Sequence, residues 1–291
     1  MEKLILKYIL TNIQGRKWHL LRIGFSLLFF VFLITSCTRI NLEEKGVFKL
    51  LTDWSKRSPG IEIPSSYTVI LGDQILTFSE AENQLPPLFP GNYKALIFNN
   101  AENIQIREGI ATVSQDNGFL NPLPGWLFSA TADLKYQNNI FSDVRVTLQQ
   151  QIRQLTLKLI PQGGTKDRIT AISAELSGVA GAWDLVQNKA HGQALRVPLN
   201  FQKQQDGSWQ TSIRLIGTLE NKQIMQGTVY FADGKPQNLS LNSDLSAAMA
   251  NFNTDKHIPF ALSATFETQT ETGFILHINN WVPVSNSGTA N

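Results

Sequence analysis

From residue 47 onward the chain is a succession of short apolar runs separated by turn-formers. Val47–Trp54, Ser66–Leu71, Gln74–Phe78, Asn92–Phe98 and Val144–Leu148 alternate apolar with polar residues or hold a brief unbroken apolar stretch, the two patterns of half-buried and fully buried strands. Ser58-Pro59-Gly60, Gly72-Asp73, Pro86-Pro87, Pro90-Gly91, Asp116-Asn117-Gly118 and Pro122-Leu123-Pro124-Gly125 interrupt them. The style repeats in Gln154–Ile160, Ile169–Leu176, Leu195–Phe201, Trp209–Ile216, Gly227–Phe231, Phe260–Phe266 and Phe274–Trp281. In Gln154–Ile160, Leu155, Leu157 and Leu159 share one face, with Thr156 and Lys158 on the other. Asp206-Gly207 predicts a hairpin. Only Leu245–Asn251 has a weak helical pattern, and Gln115–Asn139 reads as loop-rich. The pattern predicts an all-β protein, a sandwich or barrel. A division near Gln149-Gln150-Gln151 gives an N-terminal β-sandwich over 47–150 and a C-terminal one over 151–284, with a disordered tail over 285–291.

The first forty residues follow another logic. Lys3, Lys7, Arg16, Lys17 and Arg22 precede an apolar run from Ile23 to Ile34, then Thr35, Ser36 and Cys37. A basic start, a short apolar stretch and a small residue before the cut describe a secretory signal peptide over 1–36. The run is shorter than the roughly 20 apolar residues that span a bilayer. Ile34-Thr35-Ser36-Cys37 resembles the lipobox of bacterial lipoproteins, in which the cysteine is acylated and becomes the new N-terminus. That resemblance implies a lipid attachment at Cys37 and a membrane partner for the chain. Several acyl chains make a stable anchor, at about 0.8 kcal/mol per buried CH₂. The alternatives are an ordinary cleaved signal with an incidental cysteine, and an uncleaved anchor. Residues 37–46 read as a polar tether, in which Glu43-Glu44 resembles an acidic surface-export signal or serves as plain solvated linker.

Charge changes the picture once the leader is set aside. The 291 residues carry net +2, but five of the 25 basic residues and one of the 23 acidic ones precede Cys37. The remainder holds 20 against 22, net −2. Such a balance argues against the clustered basic face that nucleic-acid binding requires.

Candidate chemistry is sparse. Cys37 is the sole cysteine, so an intramolecular disulfide and a multi-cysteine metal site are excluded. His191 reads as a loop residue. His257 and His277 sit on or beside strand patterns, a weak zinc signal without a carboxylate motif. No nucleophile elbow, phosphate-binding loop, His-Glu-x-x-His or EF-hand loop occurs, so neither catalytic residues nor a cofactor are expected. Trp126, after Pro124-Gly125, and Trp183, after Gly181-Ala182, are the candidate ligand contacts: on loops they could stack on a sugar. The competing reading, favoured because large aromatics mostly bury, is that each plugs an end of its sandwich. Trp54, Trp209 and Trp281 read as core.

Three stretches carry a resemblance. Pro90-Gly91-Asn92-Tyr93 leads through Ala95-Leu96-Ile97-Phe98 into Asn99-Asn100-Ala101-Glu102-Asn103-Ile104; Ala171 to Gly181 reads AISAELSGVAG; Gly273-Phe274-Ile275-Leu276-His277-Ile278 closes the fold. Together they resemble the Bacteroidetes fimbrillin-associated anchor and fimbrial-anchor-like lipoproteins. The resemblance implies two tandem transthyretin-like β-sandwiches on a lipid anchor. It further implies a non-enzymatic role in anchoring or assembling fimbriae at the cell surface, on the outer membrane, with fimbrial subunits as partners. The motifs themselves are strands and turns without catalytic content. β-strand addition is the expected mode of engagement; a surface glycan- or host-binding lipoprotein using loop aromatics is the alternative.

Overall fold

The computed structural model describes residues 44–219, 222–235, 237–268, 278 and 280–284. Along its first half run β1 (Val47–Asp53), β2 (Tyr67–Leu71), β3 (Gln74–Phe78), β4 (Glu82–Gln84), β5 (Gly91–Phe98), β6 (Ile104–Arg107), β7 (Ile110–Val113), β8 (Gln115–Asp116), β9 (Phe119–Leu120), β10 (Phe128–Tyr136), β11 (Phe141–Thr147) and β12 (Gln149–Gln150). The second half holds β13 (Arg153–Gln162), β14 (Ile169–Asp184), β15 (Lys189–Asn200), β16 (Gln202–Lys203), β17 (Trp209–Leu215), β18 (Ile224–Phe231), β19 (Leu239–Asp244), β20 (Phe260–Glu267) and β21 (Val282–Pro283). Single 3₁₀ turns at Lys166–Arg168 and Ala232–Gly234 are the helical elements among the described residues. None is long and apolar enough to cross a membrane. The all-β sandwich expected from the periodicity is the observed fold.

Two hydrophobic cores organise the strands. The first lies between the sheet β11-β1-β4 and the sheet β12-β10-β5-β2-β3, and is filled by Leu50, Val69, Leu71, Ile97, Phe128, Leu134, Tyr136 and Leu148. The second lies between the sheet β16-β17-β13-β20-β21 and an eight-stranded sheet whose main path runs β19-β18-β14-β15-β9-β8, with the β6–β7 hairpin joined to β14. Leu155, Leu157 and Leu159 of β13 are fully buried there, each stabilising the fold by about 1.5–3 kcal/mol through burial. The halves repeat one pairing rule. The opening strand β1 is flanked by the late strand β11 in parallel and by β4 antiparallel; β13 is likewise flanked by β20 in parallel and β17 antiparallel.

Several elements depart from the sequence expectation. Gln115–Asn139 is not mainly loop, because it contains β8, β9 and the nine-residue β10. In β10 the small residues Ser129, Ala130 and Ala132 dilute the apolar alternation, and pairing with β5 from Ser129↔Phe98 to Tyr136↔Gly91 supplies the order instead. The hairpin of β6 and β7 turns at Glu108 and Gly109, both with positive φ (50° and 80°), as a type I′ turn requires. Leu245–Asn251 forms one turn, with the Met249 N–H donating to the Leu245 carbonyl at 2.9 Å. Its helical look comes from the buried Leu245, Met249 and Phe252, which pack onto the second core.

The chain also crosses the division expected near Gln149–Gln151. β7 pairs with β14 (Ala182↔Thr112 to Asp184↔Ile110) and β9 touches β15 at Arg196↔Phe119. Ala111, Val113, Leu120 and Leu127 therefore belong to the second core. Period-two alternation identifies a strand but carries no information about which sheet receives it.

β14 is continuous over 16 residues through the Ser177–Gly181 stretch. A bulge between Leu176 and Val179 passes through Gly178 at φ 76°. A Cβ there would lie 2.5 Å from the Lys222 carbonyl oxygen, so only glycine admits this close approach.

Candidate functional site

Gln149-Gln150-Gln151-Ile152-Arg153 joins the last strand of one sheet to the first strand of the next, and of its polar side chains Gln150, Gln151 and Arg153 are buried while Gln149 is exposed. Such groups persist in an interior only when hydrogen-bonded. The Gln150 amide oxygen accepts the Ser58 N–H at 2.8 Å, and its amide nitrogen donates to the carbonyls of Ile152 (2.7 Å) and Lys256 (3.0 Å). The Ser58 hydroxyl donates to the His257 carbonyl at 2.7 Å. One side chain thus ties the 54–66 loop of the first half to the 251–259 loop of the second.

Arg153 holds that second loop. Its guanidinium donates to the carbonyls of Ile258 (2.7 Å), Asn251 (2.9 Å), Phe252 (2.7 Å) and Thr254 (2.9 Å). It lies 5.4 and 4.6 Å from the ring centroids of Phe252 and Phe260, within cation–π range. Burial lowers its pKa to about 10, opposed by Asp255. Lys256 is buried beside it and donates from Nζ to the Ile216 carbonyl at 2.7 Å, with the Trp183 ring centroid 3.0 Å away. Burial, and then the charge of Arg153, push the Lys256 pKa well below its ordinary value.

This seam borders a half-open cleft of about 730 Å³. Gln149, Gln151, Asn188, Lys189, Asp255 and His257 are among its lining residues, with Trp183 at its base. Burial, then Lys56, lowers the His257 pKa. Asn253 is spent internally: its Oδ1 accepts the Thr218 N–H (2.9 Å) and its Nδ2 donates to the Thr218 carbonyl (2.8 Å). Gln151 is different. It is 4% exposed, and its side-chain amide has no hydrogen-bond partner among the described residues. The cleft hydroxyls bond Asn253 (Thr218) and the Asn251 carbonyl (Thr254), not a histidine or carboxylate base. The cleft offers donors and acceptors to a polar ligand, and neither of these hydroxyls is paired with a base that would activate it. Among the described residues no three His, Cys, Asp or Glu side chains converge as metal ligands would.

The candidate residues from the sequence fall in different places. Trp183 is not on a loop: it lies in β14, 2% exposed, its Nε1 donating to Asn188 Oδ1 at 3.2 Å. With Lys256 across its ring it has no free face for a sugar. Trp126 does lie in a loop, half-buried against both cores, with the Arg214 guanidinium 5.5 Å from its ring. The structure does not bring the two together in the cleft. Trp54, Trp209 and Trp281 are buried. His191 is exposed but sits in β15 rather than a loop, because β15 (Lys189–Asn200) pairs with β14 and sets His191 opposite Ala182. Cys37, Glu43, His277 and the 285–291 tail lie outside the described residues. Sequence reasoning missed Arg153, Lys256 and the buried glutamines. The available signal was a charged residue directly before the apolar alternation of β13.

No protein-family model matches the chain. None of the curated proteins matches it either. Solved structures do. The fimbrial anchor protein Mfa2 from Porphyromonas gingivalis superposes with a TM-score of 0.54 at 13% identity, covering 81% of this chain and 98% of its own. The chain shares the fold of a fimbrial anchor. A candidate adhesin from Bacteroides ovatus matches with a TM-score of 0.56 at 12% identity, over 75% of this chain and 89% of that one. A candidate polysaccharide-binding protein from Bacteroides thetaiotaomicron matches with a TM-score of 0.53 at 7% identity, over 83% and 99%. At these identities the likeness establishes the fold.

Proposed function

We propose that this protein is a non-enzymatic cell-surface lipoprotein, held in the outer membrane by acyl chains on Cys37, that anchors or assists assembly of fimbriae. The observation that carries the reading is the fold shared with a fimbrial anchor over 98% of that anchor's chain. On this reading the two halves are tandem transthyretin-like sandwiches, the first beside the membrane and the second presented to a fimbrial subunit. Strand addition needs a sheet edge. β19 ends the main path of the eight-stranded sheet and, among the described residues, pairs with β18 alone, from Ile224↔Asp244 to Val229↔Leu239. Its core-facing Leu239 and Leu241 are buried and its Ser240 and Asn242 exposed, the alternation that an added strand reads. A photo-crosslinking residue at Asn242 should capture a fimbrial subunit in intact cells. Capture of none, together with normal fimbrial length and attachment in cells lacking the gene, refutes the reading.

A second reading has one observation behind it. The unpartnered amide of Gln151 at the seam cleft suits a neutral, hydroxyl-rich ligand such as a surface glycan. Gln151→Leu should then remove binding on a glycan array, and an array on which the wild type binds nothing ends this alternative.

A further inference from the structure

Three apolar side chains stand out into solvent around the point where the chain enters the fold. Phe141 is 80% exposed, Phe89 51% and Ile140 45%. Their placement follows from the ladder. Val47 pairs with Phe141 in the parallel β1–β11 register, and its N–H donates to the Ile140 carbonyl at 2.9 Å. On the opposite side Gly46 bridges Leu88, its N–H donating to the Leu88 carbonyl at 3.0 Å and its carbonyl accepting from Leu88 at 3.2 Å. Phe89 therefore flanks residues 45–47 on one side and Ile140-Phe141 on the other. Lys45 Nζ sits 4.9 Å from the Phe89 ring centroid. Further along β11 the same outward face turns charged, at Asp143 and Arg145, so the apolar group is confined to the entry end.

We propose that this end of the first sandwich docks on the lipid headgroup layer of the bilayer that holds Cys37, with Phe89, Ile140 and Phe141 inserted and Lys45 among the headgroups. The proposal rests on the lipid-anchor reading given above. Eight peptide steps separate Cys37 from Lys45, a reach of about 28 Å when fully extended. A tether this short confines the patch to a thin layer above the membrane at an effective concentration on the order of millimolar, so contacts too weak to recruit a free protein stay populated. The chemistry fits the occupant: aromatic and aliphatic tips with a flanking lysine are what an interface between hydrocarbon and headgroups accepts. Left in water, an exposed phenylalanine on an edge strand is an aggregation liability that proteins otherwise blunt with charge. Docking also orients the body, directing the second half away from the bilayer.

The test uses the full chain, processed in cells and reconstituted in phosphatidylcholine–phosphatidylglycerol vesicles. With Cys37 acylated, Phe141→Cys and, as a control in the second half, Val282→Cys each carry one free thiol for an environment-sensitive fluorophore. Val282 is 57% exposed. The label at 141 should shift to the blue and be quenched by spin-labelled lipid several-fold more than the label at 282. Equal, water-like emission at both positions, with one reactive thiol per chain, overturns docking while leaving the anchor intact. Two reactive thiols per chain refute the anchor reading and this proposal with it. A shift at 141 that appears only at high protein-to-lipid ratio assigns the patch to a second copy of the chain and likewise overturns the proposal.

Discussion

Replacing Arg153 with leucine should be costly out of proportion to its position at the end of a strand. The guanidinium is 5% exposed and serves four backbone carbonyls of one loop. A buried ion and its partner can often be exchanged together for apolar groups at little cost. Here the partners are main-chain carbonyls, which no side-chain substitution removes. The bond to Phe252 is buried and those to Asn251, Thr254 and Ile258 are partly buried. The Phe252 carbonyl would lose its donor without replacement, at roughly 1–3 kcal/mol, and the others would be partly rehydrated at somewhat less each. The sum is about 3–5 kcal/mol. At about 2–4 °C per kcal/mol for a body of this size, the melting temperature should fall by roughly 6–20 °C. Urea unfolding followed by circular dichroism measures the loss, and hydrogen exchange locates it: amides of 251–258 should lose protection first. Arg153→Lys, which keeps charge but not the planar fork, should retain part of the stability. A loss below about 1 kcal/mol in Arg153→Leu, with exchange at 251–258 unchanged, would show that the loop is held by something else.

Other substitutions probe the same frame. Lys256 is depressed in the folded state, so between its folded pKa and the ordinary 10.5 the unfolded chain binds more protons. Stability relative to Lys256→Met should therefore rise with pH toward 10.5, and a difference that stays flat or falls in paired urea titrations contradicts the assignment. Trp183→Ala should cost about 3–5 kcal/mol as a core truncation; a near-neutral melt combined with lost glycan binding would instead make Trp183 a ligand contact. Gly178→Ala should destabilise by more than about 1 kcal/mol, because positive φ and the Lys222 carbonyl both oppose a Cβ, and an unchanged urea midpoint would refute the close approach.

The alternation of Leu155, Leu157 and Leu159, the Asp116-Asn117-Gly118 turn and the Asp206-Gly207 hairpin are local instructions, and they were legible in the sequence because side-chain period and turn chemistry act over a few residues. They determined that the protein is all-β, and the residues before Cys37 set the expectation of an anchored chain. Which strands meet was decided only in three dimensions. The parallel pairing of β1 with β11 and of β13 with β20, and the passage of β7 and β9 into the second sheet, join segments far apart in the chain. No local pattern encodes them. The candidate sites divide the same way. Trp183 had the composition of a ligand contact until β14 buried it under Lys256, and Arg153, an unremarkable charge before an apolar run, became the clamp of the seam once four distant carbonyls were folded around it. A residue's chemistry is written in its side chain, but its burial and partners are properties of the assembled sheets, and those settle whether it binds, packs or holds the fold together.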